Sequence, residues 1–287
     1  MRMAYLVLAH EKPAQLRLLI DRLLAGDHGD IVVLHVDRSS ALWRSGECAD
    51  LAIRPRVHLV ADPVSVRWAH WSQVAAIHRI CTRALEVGFD HAHLISGVDW
   101  PVAARDEIAR RIAADGNRTC YLEAKPGVMA ERMQTRRLDS RWLRVDPERD
   151  RLAYAACWEL RRVSRWIDAV LPARTQPFGQ WHKGSSWWSM PADAMRAIMA
   201  DVSRVLASGR LTGTQCADEH LIQTIAARKF GDRLAPTMRF IDMPSGQSSP
   251  RTLLRADAPA IAASGAWFAR KVDAGADDFF LRGFAQG

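Results

Sequence analysis

Two short, unbroken apolar runs with an amphipathic segment between them constrain this chain more than anything else in it. Residues 4–9 read AYLVLA and residues 31–36 read IVVLHV. Runs this short, with no polar alternation, are the pattern of strands covered on both faces. Between them, residues 10–12 form a turn and Pro13 opens a helix that is expected to run to about Leu24. Leu16, Leu19, Ile20 and Leu23 recur on one of its faces. Strand, helix and strand at this spacing make a crossover unit, so the sheet begins parallel.

The same alternation continues. A third, shorter strand is expected at 56–60. An extended loop at 63–68 leads into a helix at 72–87, with Val74, Ile77, Ile80, Cys81 and Leu85 on its buried side. A fourth strand falls at 91–96, a helix at 105–114 and a strand at 119–122. Neither GxGxxG nor GxxxxGKS occurs, so this half is neither a dinucleotide fingerprint nor a P-loop. Residues 123–150 are polar, arginine-rich and without strong periodicity, as in a long functional loop region. Helices are expected at 155–171 (closed by Pro172), 191–206, 217–227 and 258–268. A loop runs into a strand at 178–190, and a late strand lies at 236–241. Residues 273–287 are loosely specified. With no internal repeat and no linker, the chain reads as one α/β domain, a mixed, mostly parallel central sheet with flanking helices.

Composition narrows the function. The net charge of +8 comes mostly from arginine and leaves three partners to weigh: nucleic acid, an anionic membrane surface or an anionic substrate. The arginines are dispersed, without a basic tail or nucleic-acid motif, so nucleic acid ranks last. No apolar run is long enough to span a bilayer. Five cysteines without metal spacing fit reduced thiols better than a disulfide frame.

Five sets of residues offer chemistry. In HLISGVDWP (93–101), Asp99 follows a strand end, where open α/β sheets hold ligands; it equally suits the cap of a helix beginning near Ala103. Asp37 ends the second strand and has the position of a ribose contact, although DRSS also makes an ordinary turn. Asp218 and Glu219 open a helix, either as N-terminal acids favoured by the dipole or with one of them as a general base. In GSSWW (184–188), Trp187 and Trp188 face opposite sides if they lie on a strand, so one belongs to the core and the other is open to a sugar face. Arg251 and Lys271 are either solvated charges or a pair facing a phosphate.

Taken in order, YLVLAHEKPAQLRLLIDRLL, IVVLHVDRSS, VRWAHWSQVAAIHRICTRAL, HLISGVDWP, GSSWWSMPADAM, ADEHLIQTI and FARKVD resemble the core-2/I-branching β-1,6-N-acetylglucosaminyltransferases and peptide O-xylosyltransferases. No single motif decides this; the ordered set does, over most of the chain. The resemblance implies a GT-A-like domain over 1–272, with a nucleotide-sugar half at 1–122, an acceptor and catalytic half at 123–272, and a tail at 273–287.

It also implies inverting transfer from a UDP-sugar, with UDP-GlcNAc first and UDP-xylose second, to a glycan hydroxyl. No cofactor or metal is implied, because SGVD stands where other families carry DxD. Fixed cations would instead offset the leaving diphosphate: Arg251, with Arg255 competing, and Lys271. Glu219 matches the catalytic base. Val7 and Asp37 match uridine and ribose contacts, Trp68 a stacking tyrosine, and Glu123 an acceptor-binding acid. The animal members' anchor, stem and disulfides have no counterpart, so the expectation is a bacterial-type cytoplasmic enzyme, peripheral at the inner membrane, acting on a glycan or lipid-linked glycan. The alternatives are a non-catalytic sugar- or nucleotide-binding module and a metal-dependent transferase using Asp99.

Overall fold

The computed structural model describes residues 1–140, 145, 150–171, 177–247 and 249–283. The opening crossover is present: β1 (Met3–Ala9), α1 (Pro13–Leu23) and β2 (Ile31–Val36). After it come α2 (Ala41–Ser45), β3 (Val57–Leu59), α3 (Ser72–Val87), β4 (His91–Ser96), β5 (Asp99–Pro101), α4 (Arg105–Ala114), β6 (Cys120–Tyr121), β7 (Lys125–Pro126) and α5 (Glu131–Gln134). The second half holds α6 (Arg151–Ala156), α7 (Trp158–Val170), β8 (His182–Lys183), β9 (Ser189–Pro191), α8 (Ala192–Ala207), α9 (Leu221–Phe230), β10 (Leu234–Ala235), β11 (Arg239–Ile241), α10 (Ala258–Ser264), β12 (Phe268–Arg270) and α11 (Phe279–Gly283).

The central sheet has seven strands in the order β10-β6-β9-β4-β1-β2-β3. It is parallel except for β9, which runs antiparallel to both β4 and β6. Period-2 geometry sends successive side chains to opposite faces, and each face has its own core. Ala4, Leu6, Ile31, Val33, Ala92 and Leu94 meet α3, α8 and α9 on one side. Met3, Tyr5, Val7, Val32, Leu34 and Ile95 meet α1, α4 and α10 on the other. This double covering is why the strands read as unbroken apolar runs. Each wholly buried large apolar side chain stabilises the fold by about 1.5–3 kcal/mol.

Three expectations need correction. The helix expected over 258–268 ends at Ser264: Gly265, at φ 65°, turns the chain, and the bulky Phe268 enters β12 instead. That strand joins a small sheet in the order β11-β12-β5. Asp99 caps no helix, because it lies in β5, and α4 begins at Arg105 after Ala104 without a side-chain cap. The residues after 272 are packed as far as described: Lys12 pairs with Asp273 at 2.6 Å, Gln15 accepts from the Ala274 N–H, and Phe280 is fully buried. Pro172 lies outside the described residues, as does part of the polar 123–150 region.

Candidate active site

The carboxyl edge of the sheet collects the polar groups. At the end of β2, Asp37 Oδ1 accepts from the Ser39 N–H and hydroxyl, each at 2.8 Å, so the turn reading of DRSS is part of the structure. The same oxygen also accepts from the Val66 N–H at 3.1 Å. Val64 N–H donates to His35 Nε2 at 2.9 Å, and burial pushes the His35 imidazole down to about 4, so it stays a neutral acceptor. The Arg67 N–H donates to Ser72 Oγ. The loop presenting Trp68 is thus tied at several points, and Trp68 itself is exposed.

At the end of β4, the chain doubles back. Ser96 N–H donates to Asp99 Oδ2 and its hydroxyl to Oδ1, both at 2.9 Å. The antiparallel register of β5 and β12 sets Arg270 opposite Asp99, and the guanidinium meets Oδ1 at 2.6 Å. Both Asp99 oxygens are therefore committed, in an ion pair whose carboxylate is buried. Val272 N–H donates to the Val98 carbonyl, which brings Lys271 to the same edge, where its ammonium meets Ser249 Oγ. Arg251 Nε lies 2.5 Å from Asp242, and its two terminal nitrogens hold Asp257 bidentately at 2.8 and 2.6 Å. These carboxylates hold the Arg251 pKa well above its usual value.

Glu219 ends a one-turn 3-10 helix, Ala217–Glu219, entered through Cys216 at φ 50°. Its carboxylate is half-exposed, 2.9 Å from Arg132 and 3.5 Å from Lys183. Neighbouring Asp218 is buried and accepts from the Ser186 hydroxyl at 2.5 Å. Burial, and then the charge of Glu219, push the Asp218 carboxyl up to about 6.

Two backbone connections gather these pieces into one neighbourhood. Cys216 N–H donates to the Ala69 carbonyl at 3.0 Å, linking the Glu219 turn to the residue after Trp68. Gly184 N–H donates to the Glu219 carbonyl at 2.9 Å, and a Cβ on Gly184 would sit 1.8 Å from the Glu123 carbonyl oxygen. Only glycine lets those two backbones approach so closely. The loop beginning at Gly184 then passes Ser186, on Asp218, and Trp187, whose ring lies 4.4 Å beneath the Arg270 guanidinium. Gln223 on α9 fixes this loop by donating to the carbonyls of Ser185 and Asp218.

With this geometry in view, comparison with known proteins places the chain. The model of the Core-2/I-Branching enzyme family matches residues 3–256. The chain belongs to the Core-2/I-Branching enzyme family. It is a glycosyltransferase of that family, as the ordered motifs implied. No curated protein matches it. Among solved structures, it is similar to the apo form of the bifunctional glycosyltransferase WbbM, at 14% identity and a TM-score of 0.38. That match covers 93% of this chain and 45% of the other, so the chain spans less than half the length of that protein. It is also similar to 4-diphosphocytidyl-2C-methyl-D-erythritol synthase from Anaerococcus prevotii DSM 20548, at 10% identity and a TM-score of 0.35, covering 72% and 76% of the two chains.

In this branching-family chain, Asp37, Trp68, Asp99, Lys271, Glu219, Glu123 and Trp187 lie on segments bonded to one another around the sheet edge. Two expected contacts are not at the surface. Trp188 is fully buried and belongs to the core, so it cannot bind an acceptor, and Val7 is equally enclosed in mid-strand. Arg251 is spent on two carboxylates, and Arg255 stacks on Phe279 at 5.1 Å. Glu123 pairs with Lys125 at 2.7 Å. Arg132, Lys183 and Arg270 escaped the sequence reading, which noted Gly184 only as part of GSSWW. Arg270 had a signal, since it precedes Lys271 in FARK; Arg132 and Lys183 had none, because their partner is distant in sequence. Among the described residues, no group of three or more His, Cys, Asp or Glu is arranged to hold a metal ion.

Proposed function

We propose that the chain transfers a sugar, GlcNAc first and xylose next, from a UDP-sugar to a glycan hydroxyl with inversion and without a divalent cation. The observation that carries this reading is the bonded circuit from Asp37 through the Trp68 loop, the Glu219 turn and the Gly184 loop to Arg270 and Lys271. In this reading, that circuit holds the Glu219 carboxylate and the Arg270–Lys271 segment beside one donor site.

In this reading Trp68 stacks on uracil, and Asp37 takes a ribose hydroxyl through its second oxygen. Glu219 removes the proton of the acceptor hydroxyl, and that oxygen attacks the anomeric carbon from the face opposite the diphosphate. The bond from carbon to the diphosphate oxygen breaks with its electron pair, and UDP departs. The transition state resembles an oxocarbenium ion, as in other glycosyl transfers. Lys271 offsets the growing charge on the diphosphate; Arg251 can help only by releasing Asp242 or Asp257. Asp99 serves as the anchor of Arg270, which favours side-chain cations over a metal at this position. Trp187 and Glu123 line the acceptor side. The net charge of +8 suits an acceptor carried on a lipid diphosphate or an anionic polysaccharide at a membrane surface.

A thermal-shift series with nucleotide sugars in EDTA tests the donor. Stabilisation follows mass action, so a weak donor registers at high concentration. UDP-GlcNAc is expected to raise Tm most and UDP-xylose next. A Tm unmoved by every UDP-sugar until a divalent cation is added would reject the reading.

A further inference from the structure

Helix α7 carries its apolar stripe on the outside. Val163, Trp166, Ile167 and Val170 follow the i, i+3, i+4, i+7 spacing, which ordinarily marks the face a helix turns toward its core. Here Val163 is 51%, Trp166 75% and Val170 78% exposed, while the polar Ser164 is 5% exposed. Leu152, on the preceding α6, is 85% exposed, and Trp158, at the start of α7, is also exposed. Arg161 clamps the two helices together, with its guanidinium 3.6 Å above the Tyr154 ring and bonded to the Tyr154 carbonyl oxygen. Arg162 lies over Trp158 at 5.3 Å and 3.1 Å from Glu159.

We propose that α7, with α6, lies in the interface of an anionic bilayer with Val163, Trp166 and Val170 among the acyl chains. Tryptophan favours the boundary between headgroups and hydrocarbon. Arg162, one turn before Trp166, borders the stripe and can reach anionic headgroups while its stem covers apolar surface. The net charge of +8 adds long-range attraction to such a surface. A second copy of the chain fits less well. A helix of 13 residues is about 20 Å long, and one face of it offers far less than the roughly 800 Å² per partner of a stable interface. The assignment names the segment for the membrane contact suggested above and rests on that reading only for where the acceptor is found.

The test is co-sedimentation of the full chain with vesicles of phosphatidylcholine alone or mixed with phosphatidylglycerol, alongside a Trp166→Ser/Val170→Ser double variant. The wild type should pellet with the mixed vesicles and less so as salt rises. The double variant should bind them at least tenfold more weakly, with its Tm and its transfer to a soluble acceptor unchanged. A wild type that stays in the supernatant with both vesicle types overturns the proposal, as does a double variant that binds equally well. A dimer in sedimentation velocity that the double variant abolishes would also overturn it, giving the stripe to a second copy. Vesicle binding that persists while no sugar transfer can be found upholds the proposal and defeats the catalytic reading instead.

Discussion

Asp218 and Glu219 are sequence neighbours with opposite surroundings: one buried on the Ser186 hydroxyl, the other open between Arg132 and Lys183. The consequence for pH dependence has a definite sign. Unfolded, Asp218 ionises near 4; folded, it does so at about 6. Across that window the folded chain keeps a proton that the unfolded chain releases, so this residue's contribution to stability falls as pH rises and stays lower above it. Asp218→Asn keeps an acceptor for Ser186 and removes the buried charge. At neutral pH it should be more stable than the wild type by on the order of 2 kcal/mol, with the difference vanishing toward pH 4. Thermal melts across that range check this, and a variant that is less stable at every pH contradicts it. Lys271→Ala should lower transfer by about 10²–10³, the usual cost of losing a charge-stabilising donor, while thermal stability changes little. A rate within a fewfold of the wild type would remove Lys271 from the diphosphate.

At the scale of elements, the loop from Gly184 to Trp188 holds the site together. Gly184→Ala would drive a methyl into the Glu123 carbonyl, and the backbone must shift to relieve it. About 1–3 kcal/mol of stability should be lost, together with most of the activity. Denaturant melts and transfer assays read the two effects, and a fully active, equally stable variant would show that the close approach is dispensable. The Asp99–Arg270 pair makes a similar demand. Arg270→Met strands a buried carboxylate and should cost about 3–5 kcal/mol, whereas adding Asp99→Asn should restore much of it. Strictly additive losses would mean that the pair is not coupled. Sequence reasoning was strongest for elements made by local periodicity: α3 occupies 72–87 as read, and β1, α1 and β2 lie where the apolar runs put them. It failed at 258–268, where apolar residues continue past Gly265 and only pairing with β11 and β5 makes the second part a strand.

At the scale of the whole molecule, two cores on either face of one sheet leave the carboxyl edge as the place where loops can hold function. Asp37, Asp99 and Glu219 stood out as candidates because the first two follow strands and the third lies just before a helix. Their partners did not, because Arg132 reaches Glu219 across 87 positions and Arg270 reaches Asp99 across 171. The division between Trp187 and Trp188 was legible only as a pair; tertiary packing decided which one is enclosed. Among the described residues no helix is long and apolar enough to cross a membrane; the exposed stripe of α7 is the surface proposed above to meet a lipid bilayer. The most direct test of the catalytic account is sugar transfer in excess EDTA by the wild type and Glu219→Gln, side by side. The wild type should turn over undiminished, and the variant should lose about 10²–10⁴ in rate while still binding UDP. A wild type silenced by EDTA and restored by a divalent cation, or a Glu219→Gln enzyme that transfers normally, would contradict it.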